Sequence, residues 1–259
     1  MFVDTHCHIH ESDYPLPIED VFTQAQDVGV EKYICVGTGE TSSREAIAFA
    51  EKHAANFASI GVHPHDTKDG YAAIATLVGT SDKIIAVGEI GLDYFYTNSP
   101  KELQIQALKD QLQVAIDNDL PVIFHVREAF DDFWPIFDSF EGIRGVLHSF
   151  TDSKENLEQA LTRGLYIGVN GISTFTKDDE QKAIFDSIPL DRLLFETDAP
   201  FLTPAPFRGK VNQPAFVKNI AEYHAERRGI PVEEIAKATT KNAHTLFAGL
   251  NTNTTKKLL

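Results

Sequence analysis

Eight short apolar segments recur along this chain, each followed by a segment with helical spacing. That alternation limits the folds open to it more than any other feature. The segments lie at 2–6, 32–36, 57–62, 84–89, 121–126, 145–150, 165–169 and 192–196. Several are apolar without a break (IIAV, PVIF, LYIGV), the pattern of parallel strands buried on both faces. Between the first two, Ile18, Val21, Phe22, Ala25 and Val28 line one face of a helix that stops at Gly29. A second helix is expected at 42–53. The helix after the fourth strand carries a start signal: Ser99 as cap, Pro100 in the first turn and Glu102 three on from the serine. Its buried stripe is Leu108, Leu112, Ala115 and Ile116. Further helices are expected at 131–140, interrupted by Pro135, and at 153–163, 177–187, 215–228 and 232–246. A chain of 259 residues matches one (β/α)8 barrel, which needs ~250. A single TIM barrel over residues 1–250 is therefore expected, with an open doubly wound sheet as the alternative and 251–259 as a flexible tail.

In such a barrel, chemistry sits at the C-terminal ends of the strands. Polar residues collect there in this sequence. His6 and His8 end the first strand, and because side chains at i and i+2 leave a strand by the same face, both imidazoles can converge on one point. His63 ends the third strand, Glu89 the fourth, His125 the fifth, His148 the sixth and Asp198 the eighth. One such residue could be a satisfied core group; so many at one rim point to a site. Four histidines and two carboxylates exceed what one tetrahedral ion needs. They suit two ions ~3.5–4 Å apart, which clamp the attacking and leaving oxygens of a displacement. Glu89, from the middle of the strand series, is the expected bridge. One ion is assigned His6, His8, Glu89 and Asp198, the other Glu89, His125 and His148, and Asp198 is placed to act as general base. Imidazole-rich ligation favours Zn, Mn, Fe or Ni over Mg, although availability can override it. The cofactors expected are two divalent ions: Mg, Mn or Zn.

Composition bears on the partners. A formal net charge of -15 argues against a broad basic surface that grips duplex DNA. Cys7 and Cys35 are the only cysteines and are expected to be reduced. No apolar run is long enough to span a membrane, and the chain enters its first strand at once, so a cytoplasmic protein without an obligate protein partner is expected.

Six motifs together resemble the TatD family of metal-dependent deoxyribonucleases, within the amidohydrolase-like barrels. They are VDTHCHIH (3–10), GVHPHD (61–66), VGEIGLDY (87–94), LPVIFHVREA (120–129), GVLHSFT (145–151) and ETDAPFL followed by PFRGK (196–202, 206–210). The resemblance implies a TIM barrel with a dinuclear site at the positions above. It also implies hydrolysis of DNA phosphodiesters, often from an end, by a metal-bound hydroxide, with DNA ends or short single strands as substrate. His63 and Arg208 are then candidates for substrate contact, the arginine through its planar fork. Phe95, Tyr96 and Phe207 could offer faces to bases near the mouth, while Arg127 and His65 are expected in structural or outer-loop roles. One departure stands out: where the family commonly has Arg-Asn-Glu-Pro after PFRGK, this chain has Val211, Asn212, Gln213 and Pro214. The alternative activity is an amidohydrolase-type deacylase or esterase, such as an aminoacyl-tRNA deacylase, since the same clamp polarises a carbonyl. A metal-binding scaffold without turnover is a third reading.

Overall fold

The computed structural model describes residues 1–251. Eight parallel strands follow one another around a single sheet: β1 (Phe2–Cys7), β2 (Val30–Val36), β3 (Asn56–Ile60), β4 (Ile84–Asp93), β5 (Val122–Arg127), β6 (Gly145–Leu147), β7 (Tyr166–Val169) and β8 (Leu193–Phe195). Each pairs with its sequence neighbour. The seam between β8 and β1 is closed by a Cys7–Ala199 bridge and by Asp198 N donating to His6 O at 2.8 Å. The fold is a TIM barrel, as the alternation of segments anticipates.

The core explains why this sequence closes. Val3, Ile34, Phe57, Ile85, Ile123, Val146, Tyr166 and Leu194, one from each strand, form one cluster with Phe247 and Leu250. Those two residues follow the last long helix, Val232–Leu246. Each large side chain fully buried in this way contributes ~1.5–3 kcal/mol. A larger apolar layer joins the strands to the surrounding helices.

Local differences from the sequence reading have identifiable causes. β4 runs four residues past its expected end, because Asp93 pairs in register with Arg127 of β5. The helix Lys101–Asp117 starts after Pro100, not at a Ser99 cap. Ser99 instead donates to His65 O at 2.6 Å and accepts from Lys68 N at 3.2 Å, a tie to a distant loop. Pro135 does not break its helix, Phe130–Asp138, in which Phe130, Phe133, Trp134 and Phe137 pack ring on ring. Short turns of helix at Pro64–Asp69, Ile74–Leu77 and Ile172–Phe175 were not expected. Cys7 and Cys35 are buried free thiols. Among the described residues no helix is long and apolar enough to cross a membrane. The tail expected from Asn251 lies, apart from that residue, outside the described residues.

Candidate metal centre

Five strands deliver the polar residues to one end of the barrel. In β1, Asp4 and His6 share a face with His8 just beyond the strand, and all three are buried. β4 brings Glu89 and β5 brings His125, and the two strands press together at Gly91, where an added Cβ would stand 1.8 Å from His125 O. Only glycine permits that approach. His148 follows β6, with its N–H on Phe124 O at 3.0 Å. Asp198 lies beyond β8 with a φ of 58°, a conformation that aspartate tolerates better than most residues.

Glu89 is the hub. Its Oε1 lies 2.8 Å from His125 Nδ1 and 3.6 Å from the Nε2 atoms of both His63 and His148. Its Oε2 is 3.3 Å from His6 Nε2. Asp198 Oδ1 lies 3.5 Å from His6 Nε2 and 3.3 Å from His8 Nε2. The atoms that could hold a metal ion fall into three groups, each within 4.8 Å: His6, Glu89 and His148; His6, His8 and Asp198; His63, Glu89 and His125. The expected pairing of His125 with His148 is thus divided, with Glu89 shared by both. His148 instead stacks on His6, their ring centroids 3.6 Å apart.

The outward nitrogens are tied down. His8 Nδ1 meets Val36 O at 3.0 Å, so it carries a hydrogen; the ring's Nε2 faces Asp198 and His6, donating to Asp198 when the ring is protonated and offering a lone pair when it is neutral. His125 Nε2 meets Asp93 Oδ2 at 3.0 Å. His148 Nδ1 lies 2.9 Å from Glu196 Oε1, an ion-pair contact rather than an aligned hydrogen bond. Glu196 also accepts from Ser149 N at 2.7 Å. It fits only because residue 168 is glycine, since a Cβ there would lie 2.5 Å from its Oε2. Carboxylates and carbonyls behind histidines in this way fix the rings and raise their basicity as ligands. His63 is different: its Nδ1 accepts from His65 N at 3.2 Å, so when neutral it carries the hydrogen on Nε2, the nitrogen that faces Glu89. That makes it a donor rather than a ligand.

The charges agree with this arrangement. Burial opposes ionisation of Glu89, but the surrounding imidazoles outweigh it and hold the carboxyl well below its usual range. Asp198 is likewise lowered against its burial, chiefly through the hydrogen bond with His8. Burial would lower His148, yet the charges of Glu196 and Glu89 push it up to about 10. Burial, with His125 alongside, pushes His63 down to about 3. Burial raises Asp4 to about 8, although Thr197 donates to both of its carboxyl oxygens.

Two buried Nε2 atoms, of His6 and His8, stand 3.2 Å apart, and ionised carboxylates face them from Glu89 and Asp198. The buried Nδ1 of His6 has no hydrogen-bond partner. Convergent imidazole lone pairs and carboxylates form a donor set that suits a divalent cation.

Over residues 3–248 the chain matches the family model described as TatD related DNase. The chain belongs to the TatD family. It is 38% identical over 253 residues to the uncharacterized metal-dependent hydrolase YabD of Bacillus subtilis, covering 95% of this chain and 99% of the relative. It is 35% identical over 241 residues to the 3′-5′ ssDNA/RNA exonuclease TatD of Erwinia amylovora, covering 88% and 93%. Among solved structures, the TatD homologue YjjV of Escherichia coli superposes with a TM-score of 0.88 at 32% identity, covering 95% and 98%. The protein is a TatD-family metal-dependent hydrolase.

Other TatD-family candidates stand outside this cluster of contacts. Arg208 is exposed, donates to Thr203 O at 2.8 Å and lies over the Phe175 ring at 3.8 Å. Phe207 stacks on Phe216 with centroids 4.6 Å apart, a local packing role. Arg127 lies over Phe95, its guanidinium 3.8 Å from the ring centroid. Gln213 faces Gln24 at 2.8 Å, and Asn212 donates to Thr197 O at 2.7 Å, bracing the loop beyond β8. Asp93 and Glu196 were not among the site residues expected from the sequence, and His65, expected in an outer loop, meets Asp93 Oδ2 at 2.9 Å. Asp93 had a signal, since it lies four residues beyond Glu89 within one strand; for Glu196 it was adjacency to Asp198.

Proposed function

We propose that this chain hydrolyses phosphodiester bonds at the ends of single-stranded DNA, using two divalent ions held by His6, His8, Glu89, His125, His148 and Asp198. The observation that carries this is the position of Glu89, with one oxygen toward His125, His63 and His148 and the other toward His6. Such a carboxylate is suited to face two cations at once. Divalent ions bound there would polarise the phosphoryl group and acidify a water. Asp198, held ionised beside His8, accepts the proton of the attacking water. His63, neutral and half-buried, offers its Nε2 hydrogen to the reacting phosphoryl group. Arg208, exposed on the loop beyond β8, supplies a cation to the neighbouring phosphate. The activity named for the Erwinia relative supports digestion from the 3′ end.

The test is degradation of 3′- and 5′-labelled single-stranded DNA by chelator-stripped protein, with Mg, Mn and Zn restored separately. Cleavage that returns with metal and is absent from Glu89→Ala, together with lowered metal content of that variant, is the expected result. Ions bound but no oligonucleotide cleaved in any metal would refute the nuclease and direct assays to aminoacyl-tRNA and aryl esters.

A further inference from the structure

The centre leaves two large rings in solvent at its edge unexplained. Phe95 and Tyr96 are 48% and 45% exposed, in the segment that follows β4, and meet edge to face with centroids 4.7 Å apart. A continuous series of ring contacts leads from them inward: Tyr96 to His65 at 5.1 Å, His65 to His63 at 4.3 Å, and His63 to His125 at 4.3 Å. Arg127 lays its guanidinium 3.8 Å from the Phe95 centroid. The same arginine lines a polar cavity with His148, Thr151 and Asp152.

The pair is held in place from the centre itself. Asp93 Oδ1 accepts from Phe95 N at 3.0 Å and Tyr96 N at 3.2 Å. The other oxygen, Oδ2, meets His65 Nε2 at 2.9 Å and His125 Nε2 at 3.0 Å. Gln104 clasps Asp93 from behind, its Oε1 accepting from Asp93 N at 2.8 Å and its Nε2 donating to Asp93 O at 3.1 Å. One buried carboxylate therefore fixes both a ring of the centre and the backbone of the exposed aromatics.

We propose that Phe95 and Tyr96 form a stacking ledge for a nucleobase of a single strand entering the centre, with Arg127 as the accompanying cation. The proposal rests on the phosphodiesterase reading and states how its substrate is gripped. A protein of net charge -15 gains little from long-range attraction of a polyanion. Stacking needs no such field, tolerates any base, and is worth roughly 5- to 150-fold in affinity per base. An arginine plane beside the rings adds a second stacking surface and a contact for phosphate. Bases already paired and stacked within a duplex have no free face to offer, so the ledge also selects single strands.

The experiment compares wild type, the double variant Phe95→Ala/Tyr96→Ala, and Phe95→Trp/Tyr96→Trp. Binding of a fluorescein-labelled oligothymidylate is followed by anisotropy with and without metal, and kcat and KM are measured on the same strand. Both rings are exposed, so melting temperature and metal content should match wild type. The alanine variant should bind about tenfold more weakly and raise KM with little change in kcat, and the tryptophan variant should restore both. Replacing the bases near the cleaved end by abasic sites should weaken wild type by the same factor and the alanine variant no further. Cleavage with unaltered binding and KM in the alanine variant, or an abasic penalty equal in both proteins, overturns the ledge while leaving the nuclease reading intact. Ledge-dependent binding without cleavage in any metal upholds the ledge and overturns the nuclease reading.

Discussion

His224 should set much of this protein's sensitivity to acid, and its surroundings allow the size of the effect to be worked out. The ring lies in the helix Val217–Arg228, almost wholly buried and stacked on Phe195. Ser173 Oγ donates to Asn170 O at 2.7 Å, so it must accept from His224 Nε2, 2.9 Å away. The hydrogen is therefore on Nε2, and the buried Nδ1 has no partner. Burial, with Arg228 nearby, pushes this imidazole down from 6.5 to about 3. The sign follows from linkage. Between these values the unfolded chain takes up a proton that the folded chain refuses, so stability falls as pH falls. At about pH 4.5 the two-unit interval below 6.5 corresponds to roughly 2–3 kcal/mol. His224→Phe keeps the stacking surface and removes the titration. It forfeits one hydrogen bond, about 1 kcal/mol, but also removes an unsatisfied buried nitrogen. Urea unfolding near neutrality should thus differ little between the two proteins. The loss of stability on going to about pH 4.5 should be smaller in the variant by about 2–3 kcal/mol. Both proteins carry the same centre, so its own titration cancels in the difference. Equal acid losses in the two would refute the reasoning.

Two further substitutions probe the support of the centre. Asp93→Asn replaces a carboxylate whose Oδ2 meets two imidazole nitrogens, and metal affinity by equilibrium dialysis should fall about 10- to 100-fold with the circular dichroism unchanged. Gly168→Ala drives a methyl into Glu196, overpacking that should cost about 1–3 kcal/mol and lower the melting temperature by roughly 2–10 °C. Glu196→Asp in the same chain should recover most of that loss, and an unshifted melt in the single variant would contradict the packing argument.

What could be read from the sequence divides along a physical line. Runs such as IIAV and PVIF announce their strands because a strand buried on both faces has no polar positions to spare. The histidines and Glu89 announce themselves by ending those runs. Asp93 was harder to see because its strand continues through Gly91, a residue that weakens any strand pattern and is there for the approach to His125 O. Ser99 satisfied every local rule for a helix cap and was taken instead by His65 O and Lys68 N, partners more than thirty positions away. His65 looked like an ordinary loop residue because its partner, Asp93, is 28 positions distant. Local pattern carries the strands and the residues at their ends, whereas the groups behind those residues are chosen by closure of the barrel.

The seam between β1 and β8 has a consequence for how the protein is made. Asp4 and Thr197 join across 193 positions, and the same seam brings Asp198 beside His6 and His8. On a ribosome the two histidines are made before every other residue of the cluster and Asp198 after all of them. A chain that stops before β8 lacks both the clasp on Asp4 and the Asp198 carboxylate, so it can neither close the seam nor complete the cluster around His6 and His8. The cluster is whole only in a chain whose first and eighth strands have met.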